Sequence, residues 1–111
     1  MVTRLVKLKD ILKTLASDPG SQLKYLEETG APKCVDELAL DYDDIAIVAA
    51  DMVRQDEITR EASEYIKRLL EYFKSFSGEA NAPLWTPEAL YSAEEWKRVR
   101  SIAKEILTLL E

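Results

Sequence analysis

Residues 58–76, ITREASEYIKRLLEYFKSF, contain the clearest helical pattern in the chain. Its apolar residues recur at spacings of three or four over nearly five helical turns: Ile58, Ala62, Tyr65, Leu69, Tyr72 or Phe73, and Phe76. This period is typical of an amphipathic helix that packs one apolar stripe against a core. We predict that the helix ends at Ser77 and Gly78, because a glycine commonly follows the last helical turn.

The same period continues on both sides of this helix. One stripe lies near the N-terminus and another near the C-terminus: Leu5, Leu8, Leu12 and Leu15, then Trp96, Val99, Ala103, Ile106 and Leu110. Since no segment shows the sustained alternation of a strand, we predict an all-α fold. A length of 111 residues fits one domain. Residues 1–111 are therefore expected to form a compact single-domain helical bundle of five or six helices.

The segment before residue 58 contains the stretch expected to be most enclosed. Its stripe has spacings of four and three: Leu38, Tyr42, Ile45, Ala49 and Met52. We expect helices near 41–53, 58–76 and 93–110 to form the core, with the N-terminal helix packed across them. Two possibilities stay open at the start of the segment. The helix is continuous from Val35, or it restarts at Asp41, whose side chain is a suitable N-cap.

Capping residues predict where the shorter helices begin and end. Ser21 is a possible N-cap of a short helix that closes at Gly30. Thr86 followed by Pro87 predicts a helix start in the C-terminal third. Ser92 and Glu95 have the spacing of a capping box, so the last helix is expected to begin there.

The composition excludes most familiar catalytic chemistry. The chain has no histidine, and its single cysteine, Cys34, cannot form an internal disulfide or a cysteine zinc site. The sequence has no glycine-rich phosphate loop and no serine nucleophile elbow. A net negative domain is also a poor match for nucleic acid or for an anionic membrane. We expect a non-enzymatic protein, and one unpaired cysteine favours the cytoplasm.

The acidity is concentrated in the middle of the chain. The net charge is −6, and residues 34–64 alone hold ten carboxylates against two basic side chains. On a helix, Glu37, Asp41, Asp44 and Asp51 align along one edge. Three interpretations are open: a solvated face, a docking surface for a basic protein partner, and a metal site. We predict the second, an acidic helical interaction module of immunity type or regulatory type that covers a basic surface.

The metal alternative depends on two pairs of carboxylates. Asp41 with Asp44, and Glu61 with Glu64, are each three residues apart and so lie on adjacent helical turns. In this they resemble the paired motifs of the all-helical nucleotide pyrophosphatases. That resemblance implies a nucleotide pyrophosphohydrolase that uses Mg²⁺ or Mn²⁺. The principal prediction includes no cofactor.

The C-terminal third carries a second resemblance. NAPLWTPEAL at residues 81–90, followed by Glu95 and Trp96 and by Val99 and Arg100, is similar to the tail of small bacterial helical proteins with no assigned activity. The resemblance implies a bacterial origin and assigns no functional residue.

Two further features stay open in the sequence. A pocket is expected, if anywhere, between the helix that ends at Phe76 and the loop that carries Leu84 and Trp85. A homodimer is also open, because two long amphipathic helices in a small protein can leave apolar surface uncovered.

Overall fold

The computed structural model describes residues 3–32 and 34–111, and in this part of the chain α-helices follow one another through short turns. The helices are α1 (Arg4–Ala16), α2 (Pro19–Glu28), α3 (Asp36–Ala46), α4 (Ala49–Arg54), α5 (Arg60–Ser75), α6 (Pro87–Ser92) and α7 (Glu94–Leu110). A 3₁₀ helix, Glu79–Leu84, lies between α5 and α6. The all-α prediction is confirmed. The seven α-helices of the described residues exceed the five or six predicted.

The core lies where the longest helices meet. The helix α1 packs most extensively on α7 and α3, and α5 packs on the same two helices. The buried residues of α5 are Ala62, Ile66, Leu69 and Phe73. Within the described residues, none of the helices combines the length and apolar character needed to cross a membrane.

The boundary between α1 and α2 differs from the prediction. Asp18, and not Ser21, is the N-cap of α2, and Pro19 occupies the first helical position. The backbone N–H of Ser21 donates to Asp18 Oδ1 at 2.9 Å, and this hydrogen bond is the main cause that lowers the pKa of Asp18. At the other end, the prediction for Gly30 is confirmed, since its φ of 84° lies in the left-handed region.

The central acidic segment is not broken at Asp41, and the break lies further along the chain. The helix α3 is continuous through Asp41 and ends at Ala46, so Asp41 is not an N-cap. The expected helix over 41–53 is wrong, because residues 47 and 48 form a turn before α4. Here Val48 N–H donates to the Ile45 carbonyl at 3.3 Å. The turn leaves Ile47 68% exposed while Ala49 stays buried.

Of the two helix N-caps predicted in the C-terminal third, one is confirmed and one is wrong. Thr86 caps α6, and its Oγ accepts the Ala89 N–H at 3.2 Å. The capping box at Ser92 is wrong, because α6 includes Ser92 and its hydroxyl donates to the Glu88 carbonyl at 3.2 Å. Ala93 stands at the N-cap of α7 with no side-chain hydrogen bond.

Candidate interaction surface

The helix α3 presents its outer side to solvent because its inner side is fixed to the core. Leu38, Tyr42 and Ala46 are the buried residues of this helix. The Tyr42 hydroxyl donates to the Ile66 carbonyl of α5 at 2.6 Å. Burial raises the pKa of this phenol well above its ordinary value. The orientation of α3 is thus set by a packed and hydrogen-bonded inner face.

The outer side of α3 is a dense acidic face around one exposed leucine. It carries five carboxylates and no basic residue: Asp36, Glu37, Asp41, Asp43 and Asp44. Leu40 is 52% exposed in their midst. On a helix the surface neighbours of a residue lie three and four positions away. All four such neighbours of Leu40 are carboxylates. We call Leu40 and these five carboxylates the α3 face.

The carboxylates of the α3 face make no ion pair with any other described residue. Asp41 instead accepts a hydrogen bond from the Tyr25 hydroxyl at 2.6 Å. The pKa of Tyr25 is raised, chiefly by burial and then by this hydrogen bond to a carboxylate. Asp41 is therefore held in place by a neutral donor, and it forms no ion pair with a described residue.

Asp51 has a different environment from the three other members of the predicted edge. It lies on α4, where Arg4 Nη1 approaches its Oδ2 at 2.8 Å and Arg54 Nη2 approaches its Oδ1 at 3.2 Å. These arginines lower the pKa of Asp51. Arg4 also pairs with Glu57. The structure thus places Glu37, Asp41 and Asp44 together on α3 and places Asp51 in a separate ionic cluster.

A groove of about 670 Å³ borders one side of the α3 face. Asp41 and Asp44 line it from α3, and Lys7, Asp10 and Lys13 line it from α1. Its charges are mixed, so α1 offers partial compensation to this side of the acidic edge.

The carboxylates of the metal alternative lie on α3 and α5. Glu61 and Glu64 are both exposed on α5. Among the described residues, no three side chains of the metal-binding types come together as a potential site. One oxygen of Asp41 is already occupied by Tyr25. The magnesium or manganese alternative stays a prediction.

A second groove, of about 550 Å³, lies beside the end of α5. Asp36, Ala39 and Leu40 line it from α3, and Gly78, Glu79, Ala82 and Trp85 line it from the opposite side. It adjoins the α3 face through Asp36 and Leu40. We call it the Trp85 groove.

Leu40 is not among the residues predicted for the surface, although its position in the sequence indicates that it is exposed. Leu40 stands outside the stripe that begins with Leu38 and Tyr42, and carboxylates flank it on both adjacent turns. An apolar residue whose four neighbours on the helix surface are charged lies on the polar face of the helix. The spacing alone therefore indicates that Leu40 is exposed.

No protein-family model, curated protein or solved structure matches this chain.

Proposed function

We propose that this protein is an interaction module whose α3 face binds a basic surface on a partner protein. The observation that carries the proposal is the α3 face itself, with five carboxylates, no basic residue and no ion pair within the described chain. A concentrated negative field speeds encounter with a positive surface and disfavours acidic competitors.

The position of the charges on α3 also supports a binding role. Glu37 with Asp41, and Asp41 with Asp44, are like-charge pairs on adjacent turns, and such pairs disfavour a helix by a few tenths of a kcal/mol each. Asp43 and Asp44 lie in the last turn, at the negative end of the helix dipole. Helix stability does not favour Asp43 and Asp44 at this end of α3, and recognition of a cationic partner would account for their presence there.

Photo-cross-linking in the native cells tests the proposal. A photoreactive amino acid replaces Ile47, which is 68% exposed beside α3, or the control residue Tyr91, which is 58% exposed on α6. We expect cross-linking from position 47 to a partner whose captured surface is rich in lysine and arginine. Cross-linking should fall as salt rises, because screening weakens exposed charge pairs.

Two variants with the same net charge provide the control. One removes four carboxylates of the α3 face, by Asp36→Asn, Glu37→Gln, Asp43→Asn and Asp44→Asn. The other removes four exposed carboxylates elsewhere, by Glu61→Gln, Glu64→Gln, Glu71→Gln and Glu105→Gln. Only the first should lose the cross-link. Equal loss in both variants, a captured surface that is not basic, or no capture from position 47 would contradict the proposal.

A further inference from the structure

The Trp85 groove has the size and the lining of a binding site. Its volume of about 550 Å³ falls within the range of protein pockets that hold small ligands or anchoring side chains. Ala39 and Leu40 form one apolar wall, and Ala82 and Trp85 form the other. Leu40 is half-exposed, so an apolar group that entered the groove would cover surface that water now contacts.

The wall that carries Trp85 is rigidly supported. Trp85 Nε1 donates to the Phe76 carbonyl at 2.8 Å. Its ring stacks on Phe76, with centroids 5.0 Å apart, and meets Trp96 edge-on at 5.4 Å. Trp96 in turn donates to the Leu84 carbonyl at 2.7 Å. A wall held in this way loses little conformational entropy when the groove is filled.

Charge identifies the kind of occupant. Asp36 and Glu79 are exposed on opposite walls of the groove, and its described lining contains no lysine or arginine. The remaining carboxylates of the α3 face continue the negative surface beyond Asp36. Phosphate-bearing ligands are repelled by such a rim, whereas lysine and arginine are attracted by its carboxylates.

We propose that the Trp85 groove takes one large apolar side chain from a basic segment of the partner, with flanking lysine or arginine residues paired to Asp36 and Glu79. This inference rests on the proposed function and adds an anchor to it. Protein interfaces commonly combine a central apolar anchor with a polar rim, and the anchor supplies most of the affinity. The partner is thus expected to present an amphipathic basic segment, and a uniformly charged patch would leave the groove unused.

Three synthetic peptides test the anchor. Two consist of lysine and glycine and differ only at the centre, where one has leucine and the other glycine. The third has glutamate in place of lysine and keeps the leucine. We expect the lysine peptide with leucine to bind about tenfold more tightly than its glycine counterpart. The glutamate peptide should not bind. Affinity is measured by fluorescence anisotropy on the full chain.

Matched variants locate the bound leucine. Leu40→Ala should abolish the difference between the two lysine peptides, while Val6→Ala, which shortens another exposed aliphatic side chain, should preserve it. The chain has two tryptophans, so the two indole N–H signals in an NMR spectrum report on the site. We expect the leucine peptide to shift the Trp85 signal more than the signal of the buried Trp96.

Each result discriminates between the two proposals. If both lysine peptides bind equally, and binding still needs the carboxylates of the α3 face, the groove proposal is wrong and the acidic surface stands. If neither lysine peptide binds, or if the fourfold α3 variant binds them unchanged, the proposed function fails and the groove proposal fails with it. Binding of the glutamate peptide would overturn the basic character of the segment. A dimer that Leu40→Ala dissociates would make the occupant a second copy and overturn the proposal.

Discussion

Tyr42 shows how a single polar atom orients the helix that carries the α3 face. Its side chain is fully buried, and its hydroxyl reaches the Ile66 carbonyl on α5. The apolar spacing of the sequence placed Tyr42 on the inner stripe. The spacing did not identify the acceptor, because Ile66 is 24 positions away and the contact depends on how α3 crosses α5.

Burial of Tyr42 makes the fold sensitive to alkali. The phenol ionises near pH 10 in the unfolded chain and stays protonated in the folded one, since its pKa is raised there. Stability is therefore intact below pH 10 and falls above it, by up to about 1.4 kcal/mol per pH unit for this group. In urea titrations, Tyr42→Phe should cost about 1 kcal/mol at pH 7 and reduce the decline above pH 10.

The control for this prediction is Tyr91→Phe, at a tyrosine that is 58% exposed. It should change neither the stability at pH 7 nor the slope above pH 10. An equally steep decline in Tyr42→Phe and in the parent chain would show that another group causes the loss.

At the level of elements, α3 combines favourable and unfavourable charges. Asp36 lies in its first turn, where the positive end of the helix dipole favours a carboxylate, and Asp44 lies in its last turn. Asp44→Asn should therefore raise the free energy of unfolding by about 0.3–1 kcal/mol, and Asp36→Asn should lower it by a similar amount. Chemical denaturation at low salt measures both. Since each variant removes one carboxylate, a change of the same sign in both would refute the dipole explanation.

Two turns show why some element boundaries were predictable and others were not. Gly30 and Asp56 both close a helix with positive φ, 84° and 59° respectively. At each turn the following residue donates back across the helix end, Ala31 to Leu26 and Glu57 to Met52. A glycine at the end of a helix predicts such a turn, because without a Cβ it adopts positive φ easily. An aspartate adopts positive φ less often and so does not predict one. The predicted end at residue 53 is one residue short of the end of α4 at Arg54, but nothing in the sequence indicated that Asp56 forms the closing turn.

The break between α3 and α4 was hidden for a related reason. The apolar spacing from Leu38 to Met52 continues through Ile47 and Val48 without a glycine or proline. Periodicity reports which face is buried, and it is insensitive to a short turn that preserves that face. The acidic residues of the candidate surface were visible as charges. Which of them pair with arginine was not predictable, because Arg4 reaches Asp51 from a distant helix.

Across the whole molecule, the carboxylates of the acidic segment have two roles. Asp51 and Glu57 pair with Arg4 and so join the start of α1 to α4 and to the turn before α5. The carboxylates of the α3 face make no such pair in the described chain. Part of the local charge of this segment therefore supports the fold, and part stays accessible to a partner.

Replacement of Arg4 tests whether its pairs with Asp51 and Glu57 stabilise the fold. Arg4 is the main cause that lowers the pKa of Asp51 in the folded chain. The pair therefore stabilises the fold above pH 3.8, the ordinary pKa of an aspartate, and this stabilisation is lost as the pH falls through the lower pKa of folded Asp51. Arg4→Gln should lower the thermal midpoint at pH 7, with a deficit that shrinks below pH 4. Thermal unfolding followed by circular dichroism across this range measures it.

Lys24→Gln is the matched control, because it removes an exposed pair in which the Lys24 and Glu28 atoms are 3.9 Å apart. Such pairs contribute little to stability, so this variant should unfold like the parent at every pH. A deficit in Arg4→Gln that persists undiminished in acid would assign the effect to packing of the arginine stem.

The two indole hydrogen bonds that fasten the 3₁₀ helix also bear on how quickly the proposed partner would bind. Trp85 holds this segment to the end of α5, and Trp96 holds it to α7. This wall of the groove is thus fastened to the folded core by its partly buried residues Leu84 and Trp85. Association should consequently follow single-phase kinetics, with a rate constant of about 10⁵–10⁷ M⁻¹ s⁻¹ before electrostatic enhancement. Differences among partners should then appear mainly in their residence times.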